Sequence, residues 1–418
     1  MQQPYGQAAD KYKSPFSYGQ DFQYLIFSFH VQVKCQLWDV MDESPVQLSW
    51  PEKIRLSRRR WEHRIRNLLL KFVGAVWRRT RASENSRHSF NPENVRSSVK
   101  RILIIRTGRA IGDAVMSLVL IPTCRRLFPK AGVHLLLRDN VSLPFIKGAG
   151  ADAVLELHPR FLKWPIATWR LLLVLRRNRY DLVVACDNPY KSSFTTICLG
   201  LFTGAPWRLG FENEESRPFL NIATIPRRGE KMVANLLGLF APFGETPIPT
   251  LPRLLPIARF SKEADSLLGA SSKPILIFIP HHWRKSWPLA SFLRIATGLT
   301  AHAHRVKLAF GPGDTRNEDP AVQEWLNQSQ GCGGILPPQK LDLFTAVIAR
   351  CRLFISNDCG PYHIAVATGI PCVAAFLSTD ALNDFGYERD GHLIAIHHPE
   401  LKEVELKTLE AALHLLGK

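Results

Sequence analysis

One stretch constrains the chain more than any other: residues 355–376, ISNDCGPYHIAVATGIPCVAAF, in which a polar elbow separates two strongly apolar runs. Residues 353–356 read as the end of a buried strand and 371–376 as the next strand. Between them Asn357, Asp358, Cys359, Gly360 and Pro361 break the periodicity. Pro361 is expected as the first residue of a short helix, because the N–H it lacks would have no intrahelical partner there. Such a strand, elbow, helix, strand unit aims the free N–H groups of a helix N-terminus out of the carboxyl edge of a parallel sheet, where phosphates are held. The elbow is a candidate anion site.

The same alternation runs through the chain from residue 99. Residues 101–106, RILIIR, form a strand, 107–113 a glycine-bearing loop, 114–128 a helix closed by Pro129, and 133–137 the next strand, which together make a βαβ unit. Further strands are expected at 153–157 and 181–185, separated by a helical run at 166–177. The proline-rich segment 242–256 reads as a linker, with a boundary near Pro249. Beyond it the pattern restarts: strands at 275–279, 306–310 and 394–396, helices at 288–301, 341–349 and 406–416. With 418 residues and 46% hydrophobic content the chain can fill two cores. The architecture implied is α/β, with two Rossmann-like domains, 99–249 and 250–418, facing across a cleft.

Ahead of them the character differs. Residues 1–54 show no sustained period and are expected to be a disordered leader, with Met41 a candidate start. Residues 55–81 carry many arginines against a single acid, with Trp61, Ile65, Leu68, Leu69, Phe72, Val73, Val76 and Trp77 at spacings of three and four. This basic amphipathic helix, joined by a polar linker to residue 98, suits an anionic membrane surface; packing on a neighbouring domain is the alternative. The formal net charge of +18 and pI near 9.8 call for anionic company. Nucleic acid ranks low, since only Trp61 and Trp77 flank the arginine run and its apolar face is too continuous for a stacking groove. The cysteines at 35, 124, 186, 198, 332, 351, 359 and 372 form no C-x-x-C pair and no zinc spacing. No segment is apolar enough to span a bilayer and no signal peptide is evident. A cytoplasmic protein with reduced thiols is the expectation.

Three further constellations fall at strand ends. Gly108, Arg109, Gly112 and Asp113 follow a strand and open a helix, but the dinucleotide spacing is absent and a carboxylate at a helix start would repel a pyrophosphate. Asp113 is therefore either a base at the cleft mouth or a helix cap. In the run 281–288, HHWRKSWP, Arg284 and Lys285 offer a fork and a point charge to a diphosphate, unless the run is only a basic surface loop. His281 and His282 lack an acidic partner at ligand spacing, so no metal is expected. Asp314, in Gly-Pro-Gly-Asp, either meets ribose hydroxyls or makes a turn. His363, one turn into the elbow helix, either donates to the ligand or is structural. All these positions fall on the carboxyl edges of the two halves.

The runs 104–113 (IIRTGRAIGD), 208–211 (RLGF), Lys285-x-Trp-Pro288 and 357–363 (NDCGPYH) resemble, in order and spacing, the bacterial heptosyltransferases of glycosyltransferase family 9, from about residue 99 to the C-terminus. The resemblance implies a GT-B fold and a nucleotide-sugar donor, ADP-heptose, held by the C-terminal half. It also implies cofactor-free, metal-independent, inverting transfer to a lipopolysaccharide core acceptor at the inner face of the inner membrane. A family 9 enzyme using another nucleotide sugar is the alternative. By position Asp113 resembles the general base and Lys285 the residue facing the diphosphate. Asp358, Gly360 and His363 resemble donor-site residues, with Asp314 and Cys359 alongside, and Gly108, Arg109 and Gly112 form the acceptor loop. Cys359 departs from the small hydroxyl residue usual there, leaving its backbone N–H to serve. Arg109 and Ile111 make the first loop bulkier and more basic than usual, and the leader has no counterpart.

Overall fold

Aliphatic runs bounded by glycine and polar turns become parallel strands. Six form one sheet: β1 (Arg101–Arg106), β2 (Gly132–Leu137), β3 (Ala153–Glu156), β4 (Leu182–Ala185), β5 (Trp207–Phe211) and β6 (Ile222–Thr224). Six form a second: β7 (Ile275–Ile279), β8 (Val306–Phe310), β9 (Gly333–Leu336), β10 (Leu353–Asn357), β11 (Cys372–Ala375) and β12 (Leu393–Ile396). Their orders are β3-β2-β1-β4-β5-β6 and β12-β11-β10-β7-β8-β9. Renumbered from its own first strand, the second order is the mirror listing of the first, so both halves are Rossmann-like. Each has its topological switch point between its first and fourth strands, where ligands enter doubly wound sheets.

This computed structural model describes residues 90–417 except 109, 139–145, 147, 159–164, 246–249, 256–257, 270–272 and 282–286. All the described residues belong to one compact unit of the chain. The leader, the basic helix at 55–81 and the boundary at Pro249 lie outside the described residues.

Alternation along the strands sorts side chains to two faces. On β1, Ile102 and Ile104 point to one buried cluster and Leu103 and Ile105 to another. On β7, Leu276 and Phe278 join the first of these clusters, whereas Ile275, Ile277 and Ile279 join a third. One continuous apolar cluster thus runs from Ile104 and Val115 to Tyr362 and Ile364, joining the halves. The outer face of the second sheet is covered by the helices Leu289–Ala301 and Leu401–Gly417. The outer face of the first is covered by Pro165–Arg177 and Phe194–Thr203, through Leu171, Leu172, Leu175 and Leu199.

Several expected boundaries shift. The helix expected at 114–128 begins at Ile111 and divides into Ile111–Ser117 and Leu120–Leu127. The break has a cause: Pro122 offers no N–H and its ring clashes with the carbonyl four residues back, that of Leu118. The Leu118 carbonyl accordingly accepts from the Ile121 N–H, three residues on, at 3.1 Å. Gly360, not Pro361, opens the elbow helix Gly360–Thr368, with proline second. The strands β5, β6 and β9 were not expected from sequence; they are short, and two of them contain glycine.

Candidate functional site

The loop after β1 is built around one ion pair. Arg106, at the strand's end and only 3% exposed, places Nη2 2.9 Å from Asp113 Oδ1 and donates from Nη1 to the Cys186 carbonyl. Asp113 lies in the first turn of Ile111–Ser117, yet the cap position belongs to Ala110, which makes no side-chain bond. The capping alternative for Asp113 is thereby removed: its carboxylate is held from the strand side instead. Gly108 makes this possible, because a Cβ there would fall 2.5 Å from Asp113 Oδ2. Thr107, buried, bonds at 2.8 Å to both Ser193 Oγ and Thr196 Oγ1, which pins the loop to the neighbouring β4 crossover. Arg109 lies outside the described residues.

The elbow after β10 is organised by backbone bonds. Asn357, fully buried, accepts from the Trp287 N–H at 2.9 Å and donates to the Ala375 carbonyl at 3.1 Å. It therefore ties the ends of β10 and β11 to the end of the loop after β7. Cys359 occupies the helix cap position in extended conformation and makes no side-chain cap bond. Its Sγ lies 3.2 Å from Ser356 Oγ. That hydroxyl donates to the Phe278 carbonyl, so the thiol donates to Ser356. The first-turn N–H groups of the helix are left uncapped by Cys359, as the anion reading requires. Lys285 and Arg284 lie outside the described residues.

His363 is 3% exposed. Its Nδ1 is 3.2 Å from the Tyr387 hydroxyl and its Nε2 3.6 Å from Asp358 Oδ1. Burial, aided by the charge of Asp358, raises the pKa of the Tyr387 phenol, so a protonated hydroxyl stands beside Nδ1 and a carboxylate beside Nε2, and together they fix the ring's orientation. Across the cleft a Cβ on Gly112 would meet His363 Cδ2 at 2.5 Å, and one on Gly360 would meet Ile111 Cβ at 3.0 Å. Both expected glycines thus permit close approach of the two helix starts, and Asp113 follows directly after that contact.

Asp314 does not stand open to the cleft: its side chain is 1% exposed and pairs with Arg316 at 2.6 Å. Burial raises its pKa, but the hydrogen bonds and charge of Arg316, with His281 nearby, outweigh this and hold it below the usual range. It also caps the short turn Thr315–Glu318. Arg316 reaches on to the Pro280 carbonyl at 2.9 Å, tying this turn to the end of β7. Of the two readings of Asp314, the turn is the one seen here, with Arg316 held by its carboxylate.

Sequence reading missed Asp187. It lies just past β4, at the same switch point as Asp113. Burial pushes its carboxyl up to about 6, against a hydrogen bond from Thr196, the Arg106 charge and backbone N–H groups of Ser193 and Thr107. Arg106 thus serves two carboxylates. An acid two residues beyond an apolar strand was the available signal.

The family model for glycosyltransferase family 9 (heptosyltransferase) matches residues 168–414. Lipopolysaccharide heptosyltransferase 2 of Escherichia coli (strain K12) is 25% identical over 293 residues, which cover 64% of this chain and 80% of the relative. Lipopolysaccharide core heptosyltransferase OpsX of Haemophilus influenzae is 22% identical over 315 residues, 71% of this chain and 85% of the relative. The solved structure of E. coli ADP-heptose LPS heptosyltransferase II superposes with a TM-score of 0.59 at 22% identity, over 76% of this chain and 99% of that one. A family 9 glycosyltransferase from Veillonella parvula gives 0.65 at 17% identity, over 79% and 99%. The two-sheet architecture is therefore GT-B.

Proposed function

The chain belongs to glycosyltransferase family 9, and on that premise we propose that it transfers heptose from ADP-heptose to the core sugars of a lipopolysaccharide acceptor, with inversion and without metal or cofactor. The donor is supported by a solved relative described as an ADP-heptose LPS heptosyltransferase, and the acceptor class by the relatives' names. The observation that carries the reading is the Arg106–Asp113 pair beside the uncapped elbow helix.

In this mechanism Asp113, held through Oδ1, takes the acceptor hydroxyl's proton on Oδ2. The freed oxygen attacks the anomeric carbon from the face opposite the diphosphate, and the bond from that carbon to the diphosphate breaks. ADP leaves with the bonding pair, its charge met by Lys285 and by the elbow N–H groups of Cys359 and Gly360. Asp358 orients His363, Asp314 fixes Arg316, and Gly108, Arg109 and Gly112 shape the acceptor entrance. The basic helix at 55–81 rests on the inner face of the inner membrane, making the enzyme a peripheral one. Among the described residues no helix is long and apolar enough to cross a membrane.

Asp113→Asn is expected to lower turnover by about 10²–10⁴-fold while calorimetric titration shows donor affinity nearly unchanged. Near-normal turnover would sink the base assignment. Titration of ADP-heptose against other nucleotide sugars decides the donor, and tighter binding of another sugar would replace it.

A further inference from the structure

The helix Pro165–Arg177 crosses from β3 to β4 over the outer face of the first sheet. Its inward arc, with Leu171, Leu172 and Leu175, fills that face's cluster. A solvated outer arc should be polar. Instead Ile166 is 70% exposed, Trp169 58% and Val174 40%, with Phe202 of the neighbouring helix at 38%. Positions 166, 169, 170, 173, 174 and 177 recur at helical spacing, so Ile166, Trp169, Leu173 and Val174 share one stripe with Arg170 and Arg177.

The stripe has one sign of charge. The helix contains no acid. Arg170, Arg176, Arg177 and Arg179 are exposed, and among the described residues none of their guanidinium groups has an ion pair or hydrogen bond. Arg176, Arg177 and Arg179 line a recess with Tyr180, Thr203 and Gly204. The acid at its rim, Asp181, already accepts the Lys100 and Arg101 N–H groups at 2.8 and 2.9 Å. Gly204 takes a left-handed conformation, and a side chain there would collide with the Arg176 guanidinium.

We infer that this face, the outer arc of Pro165–Arg177 with Phe202 and Arg179, docks the protein on an anionic lipid bilayer. Aliphatic and indole side chains enter the boundary between headgroups and acyl chains, while the unpaired arginines take lipid phosphates. A second copy of the chain fits poorly, because a two-fold contact would set these arginines against their own images. The helix starts at the carboxyl edge that carries Asp113, so a docked bilayer lies alongside the acceptor entrance. The inference rests on the membrane-borne acceptor proposed above but not on residues 55–81.

The test uses the full chain and vesicles of phosphatidylethanolamine with phosphatidylglycerol, compared with phosphatidylcholine alone. Two exposed-surface variants are compared: Ile166→Ser/Trp169→Ser/Val174→Ser and Arg170→Gln/Arg176→Gln/Arg177→Gln, each checked for an unchanged melting curve. Each is expected to weaken partitioning to anionic vesicles by about tenfold or more, and hydrogen exchange of 165–177 is expected to slow on vesicles. Unchanged partitioning of both variants, or bound protein with unchanged exchange at 165–177, overturns the inference. So does wild-type protein that ignores the vesicles, or a dimer in sedimentation that the serine variant dissolves. Transfer to a water-soluble, delipidated acceptor separates the two proposals. If wild type docks but transfers nothing from ADP-heptose, only the proposed function falls; if it transfers but does not dock, only the docking face does.

Discussion

Two strand-to-helix turns meet at the cleft, and they are built on opposite principles. After β1, polar capacity is concentrated in one side chain: a buried arginine holds the Asp113 carboxylate, and the helix that follows begins uncapped at Ala110. After β10, the buried Asn357 amide bonds only to backbone, at Trp287 and Ala375, and leaves the helix start as the polar feature. The first turn presents a group that can move a proton. The second presents a fixed field of N–H dipoles. Side-chain changes in the first should therefore damage chemistry, and in the second, folding.

The largest expected effect tests the second turn. Asn357→Ala strands a buried N–H and a buried carbonyl, and should lower stability by about 3 kcal/mol in denaturant unfolding. A loss no larger than that of a surface substitution would break the comparison. Next comes the charge balance behind the first turn. The Asp187 pKa, about 6, lies above its ordinary value of 3.8. The folded state therefore binds more protons than the unfolded one between these values, and stability falls as pH rises from about 4 to about 6. Asp187→Asn should remove that slope, raising stability at pH 7 by on the order of 2 kcal/mol and leaving it unchanged below pH 4. Thermal melts across that range check the sign. Gly108→Ala should cut turnover about tenfold by displacing Asp113, with donor affinity intact; a matching loss of donor affinity would show that the turns are not separable. Smallest, Cys359→Ser should tighten donor binding by less than about fivefold by restoring a hydroxyl, measured by calorimetry.

The frame was legible because β1, β7, β8 and β10 are largely apolar runs with turn residues at their ends. The edge strands β6 and β9 were not, since three or four residues with little side-chain mass carry no period. At the site, the glycines, Asp113 and the elbow stood out by position after strands. What they do could not be read, because the reasons are tertiary: Gly108 is small for a carboxylate and Gly112 for a histidine of the other half. Asp187 offered only its place after a strand, since it is the adjacency of β1 and β4 that brings it to Arg106. Asp314 was visible, but not its partner: Arg316, two residues on, engages its carboxylate.

The apolar cluster that passes from Ile104 through Val115 to Ile364 has a consequence for how the protein falls apart. Two sheets with private cores would melt as separate domains. Here the loss of either half strips cover from the other, so heating should give one cooperative transition. A nucleotide held only by the second half would then raise the melting point of both.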